Sequence, residues 1–369
     1  MTEEKAATLR RGWTTGACAA GAARAAFQAL VSGAFPDPVP VALPRGARPH
    51  FALARASLEG AGAQAAIVKD AGDDPDVTHG ALIVADVRLG APESGLKFLA
   101  GEGVGTVTRA GLPLPPGEPA INPMPRAIIA DNLAEVAREF GVGADAEITI
   151  GVPGGEKIAE RTLNRRLGIV GGLSILGTTG IVVPYSCAAW IDSIHRGIDV
   201  ARAAGLDLVV GSTGSTSEAA AQALYGLPET AMIEMGDFVG GFLKYLKSHP
   251  VARVAIAGGF AKMAKLADGR LDLHSKRGEV DLGALARLAL AHGAGGALAA
   301  EIGAANSALE AVQASLSAGF PLAALVAAGA RVVAARFLGA GAQIETLVIA
   351  RDGALLARSG FAPAHAPPR

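Results

Sequence analysis

A chain of 369 residues is longer than one hydrophobic core usually supports, so two domains are the expectation. Half the residues are hydrophobic and 18% are charged, which suits a folded α/β protein and excludes a disordered one. The formal net charge is −1, so no overall field draws the chain to nucleic acid or to an anionic membrane.

Two cysteines, Cys18 and Cys187, stand far apart with no CxxC, which points to a reduced compartment rather than a disulfide scaffold. MTEEKAATLRR has no apolar core of a secretory signal, so a cytoplasmic location is expected. The first element is a helix over 16–31, with Thr14 or Thr15 as its N-cap and side chains mostly no larger than alanine. A Thr-Thr-Gly triplet opens it (Thr14, Thr15, Gly16), and a second stands at Thr178, Thr179 and Gly180. Strand-like runs follow, VPVAL, HFALARASLEG, AQAAIVKD and ALIVADVRL, divided by turn clusters such as AGDDPD. A proline- and glycine-rich passage leads to a helix over about 125–140, which Gly141 stops. The first domain is expected to span 1–145.

The rhythm then changes. Strand AEITIGV leads through a glycine turn into the polar helix EKIAERTLNRRLG. Strand LDLVVG precedes STGS and a helix, AMIEMG precedes DFVGGFLKYLKS, and ARVAIAG precedes GFAKMAKLA. Apolar strands alternating with helices imply βαβ units and a mainly parallel sheet. A helical stretch over about 283–335 and a last strand, IETLVIA, complete a second domain over 146–361, with 362–369 as a disordered tail. The stretch 167–191 carries no charge and is long enough to span a bilayer. Its glycines, Pro184 and scattered hydroxyls read instead as buried strand, glycine loop and helix start, so no membrane partner is expected.

Three glycine-bearing loops follow three consecutive strands: Gly211, Ser212, Thr213, Gly214 and Ser215; Gly236 with Asp237; and Gly258 with Gly259. In an open parallel sheet, ligands bind outside the carboxyl ends of the strands. Glycine there lets backbone N–H groups approach, and the next helix N-terminus favours negative charge. Glu234 lies about twenty residues after GSTGS, the placement that holds a ribose diol. Either Glu234 or Asp237 fits as the diol acceptor, unless both are solvated strand ends. Neither GxxxxGK[ST] nor GxGxxG occurs, which counts against a P-loop NTPase and a dinucleotide site.

Lys157, Arg161 and Arg165 are spaced to share one helical face. They form either a carboxylate clamp or, with Glu156 and Glu160, an exposed salt-bridged helix. Lys262 and Lys265 open another helix at the strand ends, so an anionic small molecule is the expected substrate. The seven histidines show no HExxH spacing, and no metal site in the protein is expected. His274 and Ser275 are the remaining catalytic candidates; a structural histidine is the alternative, since neighbours in a strand point to opposite faces. Cys18 reads as a packed small hydrophobe, although an exposed helix N-terminus would activate it.

LRRGWTTGACAAGAARAA, INPMPRAII, VPGGEKIAERTLNRRLGIVGGLSILGTTGIVVPYS, GSTGS and GGFAKMAKLADGRLDLHS together resemble the cobalt-precorrin-5B C(1)-methyltransferases of cobalamin biosynthesis, over about 9–360. The resemblance implies S-adenosylmethionine as methyl donor and a cobalt-containing, ring-contracted tetrapyrrole as substrate, the cobalt arriving with it. It implies two α/β domains, the first similar to ribosomal protein S5 domain 2 and the second a mainly parallel, Rossmann-like sheet. The strand-end loops would hold the cofactor; the two triplets, the basic helix, Lys262 and Lys265 would hold the macrocycle. Gly259 stands where many members have His, Leu273 where Thr precedes His-Ser, and Tyr185 where Met is common, so no role of the missing histidine carries over. The chemistry suits these residues: a precorrin's many carboxylates need Arg and Lys, and methyl transfer from a sulfonium needs alignment and water exclusion more than a strong base. A nicotinamide-dependent reductase and a non-catalytic tetrapyrrole carrier are the competing readings. A homo-oligomer is left open.

Overall fold

Helix α1 (Thr15–Ser32) is enclosed on almost every side, which is why its side chains are small. A Cβ built on Gly21 would lie 2.7 Å from Ile67 Cδ1 and 3.1 Å from Val41 Cγ2, so the helix meets the sheet too closely for a larger residue. Thr14 caps it by accepting a hydrogen bond from Ala17 N at 3.2 Å, and Gly33, with φ +80°, ends it. The computed structural model describes residues 9–364. The chain forms two units, Met1–Cys187 and Ala188–Arg369.

In the first unit β1 (Gly12–Trp13) precedes α1, and β2 (Val39–Pro40) and β3 (His50–Phe51) form a short ribbon after it. Then come β4 (Arg55–Glu59), β5 (Gly62–Val68), β6 (Leu82–Leu89), β7 (Leu96–Ala100), β8 (Thr106–Val107) and α2 (Pro123–Phe140). The unit closes with β9 (Ala146–Gly151), the short helix α3 (Gly155–Ala159), β10 (Ile169–Val170) and β11 (Ile181–Val182). Its main sheet runs β4-β5-β6-β9-β7, antiparallel except between β7 and β9. Ile67, Ile83, Val87, Ile148 and Ile150 form one core with α1 and with Ile128, Ile129 and Leu133 of α2.

The expected domain boundary at 145/146 is corrected here. β9 pairs with β6 on one side and β7 on the other, so it is an interior strand of the first unit's sheet. A strand followed by a helix reads locally as the start of a βαβ unit, but its partners decide where it belongs.

The second unit carries α4 (Cys187–Ala203) from its second residue on, β12 (Leu208–Ser212), α5 (Ser215–Tyr225), β13 (Met232–Glu234), α6 (Val239–Ser248), β14 (Arg253–Gly259) and α7 (Phe260–Ala267). Four helices follow, α8 (Leu282–Ala291), α9 (Gly296–Ala304), α10 (Ala308–Ser317) and α11 (Leu322–Leu338), then β15 (Gln343–Ile349), β16 (Leu355–Arg358) and β17 (Ala362–Pro363). The sheet order is β13-β12-β14-β15-β16; the first four strands are parallel, and β16 and β17 run antiparallel to β15. Its strands are covered on both faces, hence their unbroken apolar runs. Val209, Ile256, Ile344 and Val348 pack with Ile198, Phe242, Met263 and Val326 of the helices on one side. Val210, Ala255, Ala257 and Leu347 face α5 on the other.

The protein is thus a mixed α/β structure. The helical stretch expected over 283–335 is divided by Gly293 (φ +90°), by Ser307, which caps α10, and by Gly319 (φ +66°). Part of the expected disordered tail is ordered: β17 pairs with β15, and Ala364 N donates to Ala342 O. Residues 365–369 lie outside the described residues. Among the described residues, no helix is long and apolar enough to cross a membrane.

Candidate functional site

The three glycine-bearing loops of the second unit lie side by side at the carboxyl edge of its parallel strands. Ser212 pairs with Glu234 of β13 and with Ala257 of β14. Thr213 N donates to Ala257 O at 3.0 Å, and Met235 N and Gly236 N donate to Ser212 O at 3.0 and 3.1 Å. Lys262, in the first turn of α7, donates to Thr213 O at 2.8 Å, and its Nζ lies 3.2 Å from Asp237 Oδ1. One ammonium therefore ties the three loops together.

Asp237 Oδ1 is buried and accepts no hydrogen bond; Lys262 is close enough for an ion pair but off the hydrogen-bonding line. A buried carboxylate oxygen short of a donor favours a ligand that brings a hydroxyl or an ammonium. Around it the edge is roomy. A Cβ on Gly214 would meet nothing within 4 Å, and one on Gly259 only Ile349 O at 4.0 Å. Ser215 is exposed and Glu234 half-buried. Gly211 and Gly258 serve packing instead: added Cβ atoms would lie 2.7 Å from Phe242 Cε1 and 3.0 Å from the Thr213 side chain. Ser212 is also turned inward, its hydroxyl donating to Glu218 Oε2 at 3.1 Å.

Lys265 does not join Lys262. It is buried, and its Nζ donates to Leu273 O at 3.2 Å, so it braces the following loop rather than facing a substrate. His274 and Ser275 are exposed. His274 caps a 3₁₀ turn, its Nδ1 accepting from Lys276 N at 3.1 Å, and no hydrogen bond joins it to the Ser275 hydroxyl among the described residues. The structural reading of this histidine is the one its geometry supports.

In the first unit the two Thr-Thr-Gly triplets meet. β1 pairs antiparallel with β11, Gly12 opposite Val182 and Trp13 opposite Ile181. Thr14 N donates to Gly180 O and Gly16 N to Leu176 O, both at 3.0 Å. Gly177, with φ +129°, lies against Thr14; a Cβ there would be 2.3 Å from Thr14 Oγ1. Thr14, Thr15 and Gly16 are buried. Thr14 N, Gly16 N and the Thr15 hydroxyl donate within the protein, so these donors of the first triplet serve its own pairing. Of the second triplet, Gly180 is buried against Leu43 and Thr179 bonds Ile181, while Thr178 is exposed.

The polar helix expected after β9 stops at Ala159. Thr162 Oγ1 donates back to Ala159 O at 2.8 Å and accepts from Asn164 N at 3.2 Å, side-chain bonds that compete with the helical ladder. Asn164 then anchors the segment: its Nδ2 donates to Gly172 O at 3.2 Å, and its Oδ1 accepts from Ser174 Oγ at 3.3 Å. Lys157, Arg161 and Arg165 consequently do not share a helical face, but all three are exposed, and none has an ion pair among the described residues. The alternative of a salt-bridged helix is not what forms. Glu156 accepts from Gly103 N at 3.0 Å instead.

Cys18 is fully buried, and desolvation pushes its thiol up to about 12 despite the nearby Lys69. It is a packing residue. Sequence reasoning passes over Trp190, whose ring lies beside Gly236, and over Glu345, a fully buried carboxylate on β15. Glu345 accepts from Arg358 Nε and Nη2 at 2.7 and 3.0 Å, from Tyr225 Oη at 2.7 Å and from Gly360 N at 3.1 Å. A charge inside the apolar run IETLVIA was the available signal. Among the described residues, no group of three or more His, Cys, Asp or Glu side chains is placed to hold a metal ion.

The chain matches the family model described as CbiD over residues 2–184, and the one described as CbiD, C-terminal domain, over 272–360. It is 60% identical over 350 residues to a cobalt-precorrin-5B C(1)-methyltransferase of Methylorubrum extorquens, covering 95% of this chain and 97% of that one. It is 60% identical over 361 residues to the protein of the same name from Agrobacterium fabrum, covering 98% and 95%. A further namesake, from Brucella abortus, is 56% identical over 353 residues, covering 95% and 96%. The crystal structure of the cobalamin biosynthesis protein (cbiD) from Archaeoglobus fulgidus is 28% identical, covers 73% of this chain and 83% of its own, and has a TM-score of 0.39. By its family-model matches and its identity to these methyltransferases along nearly its full length, the chain belongs to the CbiD family.

Proposed function

We propose that the protein is a cytoplasmic cobalt-precorrin-5B C(1)-methyltransferase that takes its methyl group from S-adenosylmethionine. The names of its relatives support the reaction, and the observation that carries the cofactor is the buried Asp237 oxygen at the strand-end edge, an acceptor with no hydrogen-bond donor. We read the second unit as Rossmann-like in its use of that edge, and the first as S5-domain-2-like.

Residues that fit the cofactor are present. Glu234 and Asp237 offer acceptors for hydroxyl or ammonium groups, and Thr213, Gly214, Ser215, Gly236 and Gly259 leave backbone within reach of them. Bound there, S-adenosylmethionine supplies a methyl group already activated on a sulfonium. The chain's task is to position and to exclude water rather than to create a strong nucleophile, which agrees with a His274 whose Nδ1 caps a turn instead of bonding the Ser275 hydroxyl. Lys157, Arg161 and Arg165, with Thr178, hold the acetate and propionate groups of the tetrapyrrole; Lys262 holds the loops. The cobalt belongs to the substrate.

The test is direct. Purified protein, cobalt-precorrin-5B and isotopically labelled S-adenosylmethionine should give a product heavier by one labelled methyl group. Unchanged substrate mass, in an assay where an active relative works, overturns the proposal.

A further inference from the structure

Trp190 lies in the first turn of α4 and is 42% exposed. Its indole is seated beside the loop after β13. A Cβ built on Gly236 would be 3.5 Å from both Cζ2 and Nε1 of the ring. Gly236 is itself fixed, with φ +56° and its N–H donating to Ser212 O at 3.1 Å. The ring thus stands on the same edge as Asp237, the next residue along, whose buried Oδ1 lacks a donor. Trp190 takes no part in the hydrophobic cores of the second unit. Core packing therefore does not account for a large ring, half in water, against a bare glycine.

We propose that Trp190 is the stacking platform for the purine ring of the nucleoside cofactor, with Asp237 accepting from the ribose. The inference rests on the cofactor reading above and adds the residue that recognises its base. The donor set favours this occupant: Glu234 and Asp237, the latter shared with Lys262, supply carboxylate acceptors on this edge, and a purine nucleoside brings hydroxyl donors together with a flat apolar face for the indole. The glycine beneath the ring leaves it in position without a competing side chain.

The chain has two tryptophans, so the Trp13→Phe variant isolates Trp190 emission. Titrating S-adenosylhomocysteine into this variant should quench that emission saturably. By calorimetry, Trp190→Ala should weaken S-adenosylhomocysteine binding on the order of ten-fold, while Trp190→Phe stays within about three-fold. Binding without quenching, or an unchanged Kd in Trp190→Ala, overturns the inference and leaves the proposed function standing. So does a Trp190→Ala variant that loses affinity for cobalt-precorrin-5B alone. A wild-type protein with no affinity for S-adenosylhomocysteine overturns both.

Discussion

Thr15 and Leu176, 161 residues apart in sequence, exchange two hydrogen bonds: Leu176 N donates to Thr15 Oγ1 at 3.0 Å, and Thr15 Oγ1 donates to Leu176 O at 3.2 Å. The hydroxyl completes the loop's backbone pairing from within the core. Thr15→Val keeps the shape and removes both bonds. It should cost about 1–3 kcal/mol, read as a shift in urea midpoint, because both hydrogen bonds of the Thr15 hydroxyl are lost. Thr178→Val, on the exposed side of the same motif, should change stability by less than about 0.5 kcal/mol. Equal losses in the two variants would contradict the division between buried and exposed triplet residues.

The exposed cations offer a test of substrate binding. Lys157→Ala, Arg161→Ala and Arg165→Ala should each weaken cobalt-precorrin-5B binding by roughly three- to thirty-fold, with S-adenosylhomocysteine affinity unchanged. Added salt should reduce wild-type affinity in the same direction. Unaltered substrate binding in all three would return this segment to an ordinary solvated surface.

Asp237→Asn keeps the size of the side chain and removes its charge. It should lower S-adenosylhomocysteine affinity on the order of ten-fold, measured by calorimetry, while thermal stability moves little. Lys265→Met should behave in the opposite way, lowering Tm by removing a buried donor from Leu273 O with little direct effect on either ligand.

Thiol labelling separates the two cysteines. Cys187 is exposed and should react in the native protein, and Cys18 only on unfolding. The pH dependence follows from burial, which raises Cys18 from about 9 to about 12. Between those values the unfolded chain gives up this proton and the native protein keeps it, so the native state binds more protons. Stability from this group is complete below pH 9 and falls as pH rises towards 12. Cys18→Ala should remove that part of the alkaline slope in denaturant titrations.

Glu345→Ala should destabilise by about 3–5 kcal/mol, because it strips a saturated buried carboxylate from Arg358 and Tyr225. Activity per folded molecule should be retained, since the cluster lies within the sheet and away from the strand-end loops.

Much of the second unit is legible in the sequence. LDLVVG, AMIEMG, ARVAIAG and IETLVIA all mark real strands, because a sheet covered on both faces demands unbroken apolar runs, and the glycines after the first three mark the edge where they meet. What local pattern does not carry is pairing. AEITIGV is a strand, as its composition says, but only hydrogen bonds to β6 and β7 reveal its unit. The polar helix fails for a related reason: charge spacing suits a helix, whereas Thr162 and Asn164 offer the backbone other partners. For the site, the chemical types are readable and their exposure is not. Lys262 and Lys265 look equivalent three residues apart, yet one bridges the loops and the other is buried.

The ribbon of β1 and β11 joins residues 12–13 to residues 181–182. During synthesis, the first helix therefore emerges long before the segment that closes its start. The start of that helix must wait for a partner nearly 170 residues away, which makes closure of this half a late, cooperative event rather than an early local one. A fragment ending at residue 145 would lack both the clasp and an interior strand; one ending after Val182 would hold every element that the half needs to close.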